Sequence, residues 1–287
     1  RLSQQTDGKI VVVGADYSIG LAYPFSIFRI NSLLDTTVVW PGDANHNRIA
    51  DNIDLLPIGL SYGATGTTRL DQGIDWEPKI STNWGFGSPM VYDVKHTDCN
   101  GDGTINADDA LAILQNFGQT YSKKNDQPAV WRTGIAGLNV VLSKDTVRAG
   151  DTLVASIQLG DASLPVSNIY GIAFTYNYDA LVVDTAQTEV IYPSSWLATS
   201  TTDRISISKD LKAIGQIKMA ITRIDHNNRS GDGEIAQVKF KITTDNISGK
   251  NLAYYNNINF ISAITAIDSV GNLIDLNAGL DSSLVEF

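Results

Sequence analysis

Asp98, Asn100, Asp102, Asn106 and Asp109 stand at positions 1, 3, 5, 9 and 12 of the stretch D-C-N-G-D-G-T-I-N-A-D-D, with Gly103 at position 6. Oxygen side chains at alternate positions around a sharp glycine turn are what a hard cation needs. Calcium takes about 6–8 oxygens at ~2.3–2.6 Å, and only a loop whose alternate residues point inward can supply them from so short a segment. Thr104 at position 7 would add its main-chain carbonyl, and Ile105 at position 8 is the apolar anchor. A second copy begins 55 residues upstream. It offers Asp43, Asn45, Asn47, Asp51 and Asp54, with the carbonyl of Ile49 at position 7, Arg48 in place of the glycine and Ala50 at position 8. Both copies close on Asp, where the general EF-hand loop closes on Glu. The expected cofactor is calcium, two ions. Asp43, Asp51 and Asp54, and likewise Asp98, Asp102 and Asp109, repel one another without metal, so calcium is expected to contribute folding energy.

These loops need elements to hold them. Asp108 to Phe117 has apolar residues at helical spacing and stops at Gly118, which predicts a helix after the second loop. Leu55-Leu-Pro-Ile-Gly-Leu follows the first, where Pro57 predicts a short or kinked helix. The rest of the chain alternates as strands do. Residues 9–14 and 25–30 read as the last two strands of a truncated immunoglobulin- or PKD-like sandwich. Runs beginning at Leu138, Thr152, Tyr170, Gln216, Gln237, Ile258 and Leu273 are separated by turn signals such as Asn227-Asn-Arg-Ser-Gly-Asp-Gly and predict a β-sandwich or jelly roll. The expected fold class is mainly β with a small α insert. Its expected boundaries are 1–36 for the truncated sandwich, 37–122 for the calcium-binding unit with an insertion at 62–93, 123–136 for a connector and 137–287 for the second sandwich.

A duplicated calcium loop that closes on Asp resembles a dockerin module, and 40–120 carries that likeness. The 62–93 insertion departs from it. In dockerins, positions 10 and 11 of each loop help choose the partner; here they are Asn52-Ile53 and Ala107-Asp108, not the common Ser-Thr pair. Residues 137–287 resemble a cohesin domain. Ala149-Gly-Asp-Thr-Leu-Val-Ala opens it, Tyr170-Gly-Ile-Ala-Phe-Thr-Tyr-Asn-Tyr-Asp looks like its "G-x-x-F-x-x-x-Y-D" strand and turn, and Gly231-Asp-Gly-Glu-Ile-Ala-Gln-Val-Lys-Phe looks like its late strand. Trp40-Pro-Gly-Asp-Ala-Asn and Asp98-Cys-Asn-Gly-Asp-Gly are similar to a C-terminal arrangement in large surface proteins of Gram-negative bacteria that use type IX secretion. The resemblance implies an extracellular or cell-surface location, no catalysis, and docking between modules of the same or neighbouring chains, including a head-to-tail homo-oligomer that could build a filament. Asp-Ser/Thr pairs at 35, 145, 151, 184 and 268 resemble an O-glycosylation signal of some of these bacteria.

Composition narrows the alternatives. A net charge of −10 and 21 basic residues among 287 argue against nucleic acid and against an anionic membrane surface. No apolar run reaches the ~18 residues of a membrane helix. The opening Arg1-Leu-Ser-Gln-Gln reads as the middle of a longer protein. One cysteine, Cys99, precludes an internal disulfide. It and His46, His96 and His226 read as outward loop residues, not as a dyad or a zinc site. No nucleophile elbow, P-loop or dinucleotide fingerprint is present. The competing reading is a carbohydrate-binding accessory module of a secreted polysaccharide-degrading enzyme, with Trp76, Trp84, Trp131 and Trp196 stacking on surface glycans.

Overall fold

The computed structural model describes residues 2–4, 10–15, 25–30, 38–84, 92–121, 135–144, 147, 150–243 and 259–278. Trp131, the 123–134 part of the connector, the Asp-Ser/Thr pairs at 35 and 145, the Arg148-Ala149 opening of the second sandwich and the 85–91 part of the insertion lie outside them. Three strands open the chain, one more than expected: β1 (Leu2–Gln4), β2 (Ile10–Ala15) and β3 (Phe25–Ile30) form an antiparallel sheet in that order.

The loop-bearing unit follows. β4 (Val38–Val39) leads into the first loop, which passes through a 3-10 turn at Asn52–Asp54 into α1 (Leu55–Leu60). Pro57 stands in the first turn of this short helix, where a missing N–H costs little. The insertion carries β5 (Lys79–Ile80), which pairs with β4. A second 3-10 turn (Val94–His96) precedes the second loop, and α2 (Asp109–Gln115) follows it. The two halves are related by a local pseudo-dyad. Ala50 N donates to Gln119 O (3.1 Å) and Ile105 N to Ala64 O (2.9 Å); Gly118 N donates to Ala50 O and Gly63 N to Ile105 O (both 2.8 Å). Each position-8 residue therefore pairs with the segment just past the other half's helix. Gly63 and Gly118 both end a helix with positive φ, at 81° and 84°, the left-handed geometry that glycine adopts without Cβ strain.

The C-terminal part is the expected sandwich. Its strands are β6 (Gly137–Leu142), β7 (Thr152–Leu159), β8 (Val166–Ile169), β9 (Gly171–Asn177), β10 (Glu189–Ile191), β11 (Arg204–Leu211), β12 (Gln216–Arg223), β13 (Arg229–Gly231), β14 (Gly233–Lys241), β15 (Phe260–Ile267), β16 (Leu273–Ile274) and β17 (Asn277–Ala278). One sheet runs β10-β14-β7-β6-β17 and the other β11-β12-β9-β15-β16. Leu153, Ala155, Ile157 and Leu159 from the first meet Ile172, Phe174, Tyr176, Ile217, Met219 and Ile221 from the second in one buried core. β8, β10, β11, β13 and β17 lie outside the runs expected from the sequence. Four of them are only two to four residues long, while β11 does alternate, with Ile205 and Ile207 both buried.

β9 breaks the sandwich rule. A strand with one face to solvent should alternate between buried and exposed positions, yet all seven residues of β9 are buried. The loop-bearing unit covers its other face. Leu55, Leu56 and Ile58 of α1, and Ile105 and Ile113 of the second half, share a second apolar core with Ala173, Ile205, Ile207, Ala220 and Ile267 of the sheet.

Candidate metal centres and the docking face

The two loops share most of their hydrogen bonds, differing at position 1, where Asp43 Oδ1 accepts from Asn47 N and Asp98 Oδ1 from Gly101 N, both at 2.9 Å. Asn45 N and Asn100 N, at position 3, donate to Asp54 Oδ1 (2.9 Å) and Asp109 Oδ1 (3.1 Å) at position 12. The position-5 amides of Asn47 and Asp102 donate to the side chains of Asn45 and Asn100, each at 2.9 Å. The position-6 amides of Arg48 and Gly103 donate to Asp43 Oδ2 (3.1 Å) and Asp98 Oδ2 (3.3 Å). At position 7, Ile49 N and Thr104 N donate to Asn47 Oδ1 (3.0 Å) and Asp102 Oδ1 (2.8 Å). Asp51 N and Asn106 N donate to Asp54 Oδ2 and Asp109 Oδ2, both at 2.8 Å. Asp51 and Asn106 in turn accept from Ile53 N (2.8 Å) and Asp108 N (2.7 Å), capping the turn into each helix. Arg48 adopts φ 81° and Gly103 φ 86°. The arginine therefore holds the turn that the spacing assigns to glycine.

The carboxylates at positions 1 and 12 are buried: Asp43 is 1 % exposed, Asp98 1 %, and Asp54 and Asp109 0 %. Burial pushes Asp54 well above the usual carboxylate range, and the charges of Asp51 and Asp43 push it further. Burial raises Asp43 and Asp98 as well, against the loop N–H groups that lower them, and takes Asp109 up to about 7. A buried anion pair of this kind is costly unless a cation shares the site. Among the described residues no three His, Cys, Asp and Glu side chains converge into one metal-holding group. The motif surrounds the two buried carboxylates of each loop with further oxygen-bearing groups: Asn45, Asn47, Asp51 and the Ile49 carbonyl in the first, and Asn100, Asp102, Asn106 and the Thr104 carbonyl in the second. Those hard, all-oxygen donors fit calcium and not zinc.

Several residues around the loops are placed differently from the outward positions expected of them. Cys99 is fully buried, and burial pushes its thiol well up, so it is an inert packing residue. His96 is only 4 % exposed; burial, then the neighbouring His46 charge, holds its imidazole well below the usual value. The His46 and His96 rings lie 4.1 Å apart between centroids. Trp40 stacks on Tyr121 at 4.5 Å and lies 5.1 Å from Trp76, while Tyr121 donates from its hydroxyl to Asp43 Oδ2 at 3.1 Å. Residues from the two ends of the unit thus close over the first loop. Trp84 packs on Gly66 and Trp196 on Gly231, so the described tryptophans named for sugar stacking form no common platform.

The insertion lies along the second loop. Gly66 N donates to Gly103 O and Arg69 N to Gly101 O, both at 2.9 Å, and Thr68 Oγ1 donates to Asp102 O at 3.1 Å. The buried guanidinium of Arg69 donates to Asp98 O (3.1 Å) and Cys99 O (2.8 Å). Nothing in the spacing of a lone arginine in a threonine-rich stretch signals this role.

The first loop faces the sandwich. Asn52, its position-10 residue, donates from Nδ2 to Met219 O at 2.9 Å and to Phe174 O at 3.1 Å; these are directly opposed residues of β12 and β9. Tyr170 Oη donates to Gly59 O at 2.9 Å, and His226 Nε2 lies 3.1 Å from Tyr62 O. The seat is shallow because Gly171, Ala173, Ala220 and Thr222 are small. A Cβ on Gly59 would stand 2.2 Å from Thr222 Oγ1 and 2.8 Å from Arg223 O, so α1 lies on the sheet at backbone contact distance. The second half reaches the edge strand of the sheet, where Lys209 Nζ on β11 donates to Leu114 O at 3.4 Å.

Residues 138–269 match the family model of the cohesin domain. The match falls on the sandwich and covers just under half of the chain. The chain is similar in structure to a type II cohesin from Bacteroides cellulosolvens (14 % identity, 52 % of this chain and 98 % of that one, TM-score 0.42). It is also similar to a type I cohesin–dockerin complex from Clostridium thermocellum (16 %, 55 % and 97 %, TM-score 0.42) and to a non-cellulosomal cohesin from Archaeoglobus fulgidus (18 %, 53 % and 91 %, TM-score 0.36). No curated protein matches the sequence. Among the described residues no helix is long and apolar enough to cross a membrane.

Proposed function

We propose that this chain is a non-catalytic structural module of a secreted bacterial surface protein, in which a dockerin-like unit holding two calcium ions is docked on the cohesin sandwich of its own chain. The observation that carries the reading is the seating of Asn52 and α1 on β9 and β12. It joins the first loop to the sheet through buried hydrogen bonds and a shared apolar core. Asp43, Asn45, Asn47, Asp51, Asp54 and the Ile49 carbonyl would hold one ion; Asp98, Asn100, Asp102, Asn106, Asp109 and the Thr104 carbonyl would hold the other. Bound calcium supplies the positive charge that the buried carboxylates lack. The chain's own residues do the rest: loop N–H groups orient the carboxylates, Asp51 and Asn106 start the helices, and Asn52 reaches the sheet. Two modules joined in this way make a stiff brace rather than a calcium sensor.

Isothermal titration of the intact chain tests the metal. The expected result is a stoichiometry of two calcium ions and a fall in Tm on chelation; no heat of binding and an unchanged Tm would remove calcium from the account. Light scattering of the calcium-loaded chain tests the partner. A monomer at all concentrations supports docking within the chain. A mass that grows with concentration assigns the docking face to neighbouring chains.

A further inference from the structure

Among the described residues of the loop-bearing unit two lysines are buried, and their surroundings differ. Lys79, 4 % exposed, donates to Asp71 Oδ2 (2.7 Å) and Glu77 Oε1 (2.5 Å), and these hydrogen bonds raise its affinity for a proton. Lys95 is fully buried in the 3-10 turn before the second loop, and its Nζ donates to an amide, Asn83 Oδ1, at 2.6 Å. Burial lowers its affinity for a proton, against the charge of Asp93, which raises it. A lysine that gives up its charge on burial is a nucleophile.

Both residues are held in place. Asp93 Oδ1 accepts from Lys95 N at 3.0 Å and from Trp84 N at 3.2 Å, so one carboxylate oxygen binds the main chain of Lys95 to that of the residue after Asn83. The Trp84 ring packs on Gly66 and against the apolar core around α1 and α2, which anchors Asn83 from the other side. An amide C=O is about 1.23 Å long, so at an ordinary hydrogen-bond angle Nζ stands roughly 3–3.5 Å from Asn83 Cγ, the separation of a near-attack pair. Asn83 itself is exposed, which gives a small leaving group a way out to water.

We infer that Lys95 and Asn83 are joined by an isopeptide bond that the folded chain makes for itself. The Nζ lone pair adds to Cγ, the Cγ–Nδ2 bond breaks, and one Nζ proton goes to the departing nitrogen, which leaves as ammonia. Nothing is oxidised or reduced, and no co-reactant enters. Asp93 is a positioning residue: its carboxylate holds the two chain segments at reacting distance. The bond ties the returning end of the insertion to the segment that enters the second loop, closing a ring through residues 84–94. It is independent of calcium and of the docking proposed above. In a structural brace it adds a link that neither chelation nor reduction undoes.

Intact mass spectrometry and a chymotryptic map of the full chain test it. The expected mass lies below that of the sequence by one ammonia, about 17 Da. Chymotrypsin cuts after Trp84 and Tyr92 and so parts Asn83 from Lys95; the two peptides should emerge as one branched species. Lys95→Arg keeps the cation but not the nucleophile, and should give the full sequence mass and separate peptides. Asn83→Asp should lose water in place of ammonia and end on the wild-type mass. Asp93→Asn keeps an oxygen for Trp84 N and Lys95 N and should retain the bond, while Asp93→Ala should slow its formation about tenfold or more. Equal rates in these two variants remove the positioning role of Asp93. An unreduced mass with separate peptides overturns the inference. So does an ammonia loss with the two peptides separate, which marks an asparagine closed on its own main chain. The map of the unaltered chain decides by itself, whether or not the variants fold.

Discussion

Asp109→Asn should change sign with calcium. Asp109 is fully buried, and its carboxyl is raised from 3.8 to about 7 by burial. Without metal, keeping it ionised above pH ~7 costs on the order of 4 kcal/mol relative to the unfolded chain, at ~1.4 kcal/mol per factor of ten in proton affinity. Asparagine removes that charge with the same shape. It also loses a partner, because one side-chain oxygen replaces two that accept from Asn100 N and Asn106 N. A misplaced amide donor at a buried site costs about 1–3 kcal/mol. The metal-free chain should therefore be stabilised by about 2 kcal/mol at pH ~8. The raised value also sets the pH dependence. An acid whose folded-state value lies above its unfolded one binds more protons when folded. The contribution of Asp109 to metal-free stability should thus be largest below pH ~4, fall as pH rises to ~7, and level off above; Asp109→Asn should remove that part of the slope. With calcium present the carboxylate becomes a ligand, and the same substitution should weaken binding and lower stability. Urea unfolding with chelator and with millimolar calcium measures both arms. Equal destabilisation in the two conditions would show that Asp109 only orders the loop, and would refute the metal assignment at this site.

Three further outcomes follow from the geometry. Gly59→Ala improves helix propensity by about 1 kcal/mol yet sets a Cβ against Thr222; a net loss of about 1–2 kcal/mol is expected, partly restored by Thr222→Ala, and a stabilised single variant would contradict the close seating. Asn52→Ala removes two buried hydrogen bonds to carbonyls, for a loss of about 1–3 kcal/mol in denaturant unfolding. Arg69→Met deletes the contacts that tie the insertion to Asp98 O and Cys99 O; calcium should then dissociate faster from the second loop than from the first in stopped-flow chelation, and equal acceleration at both loops would refute the role of the strap.

The loops are legible in the sequence because an oxygen at every second position leaves few other uses for such a stretch. Six of their hydrogen bonds then recur at matched positions in the two copies. Arg48 shows the limit of the pattern: the turn geometry persists at φ 81° without the glycine, because Asp43 anchors its N–H. Cys99 and His96 read as outward from spacing alone, because position in a loop does not reveal what packs on the loop from elsewhere. Their burial comes from the apolar core around α1 and α2 and from the cluster with His46 and Tyr92.

Period-two alternation and turn residues determined the sandwich, and alternate oxygen side chains determined the two matching loops, since both are local properties that a few neighbouring residues fix. The docking was decided only in three dimensions. Alternation predicts one wet face for β9, and the tertiary structure buries all seven of its residues. That follows from Leu55, Leu56 and Ile58 of α1 packing with Ala173 and Ala220 of the sheet while Gly59 admits Thr222, more than a hundred residues away in the chain. A small residue has no local signature of the neighbour it admits. Whether it marks a turn, a filler or a seat depends on what the fold brings against it.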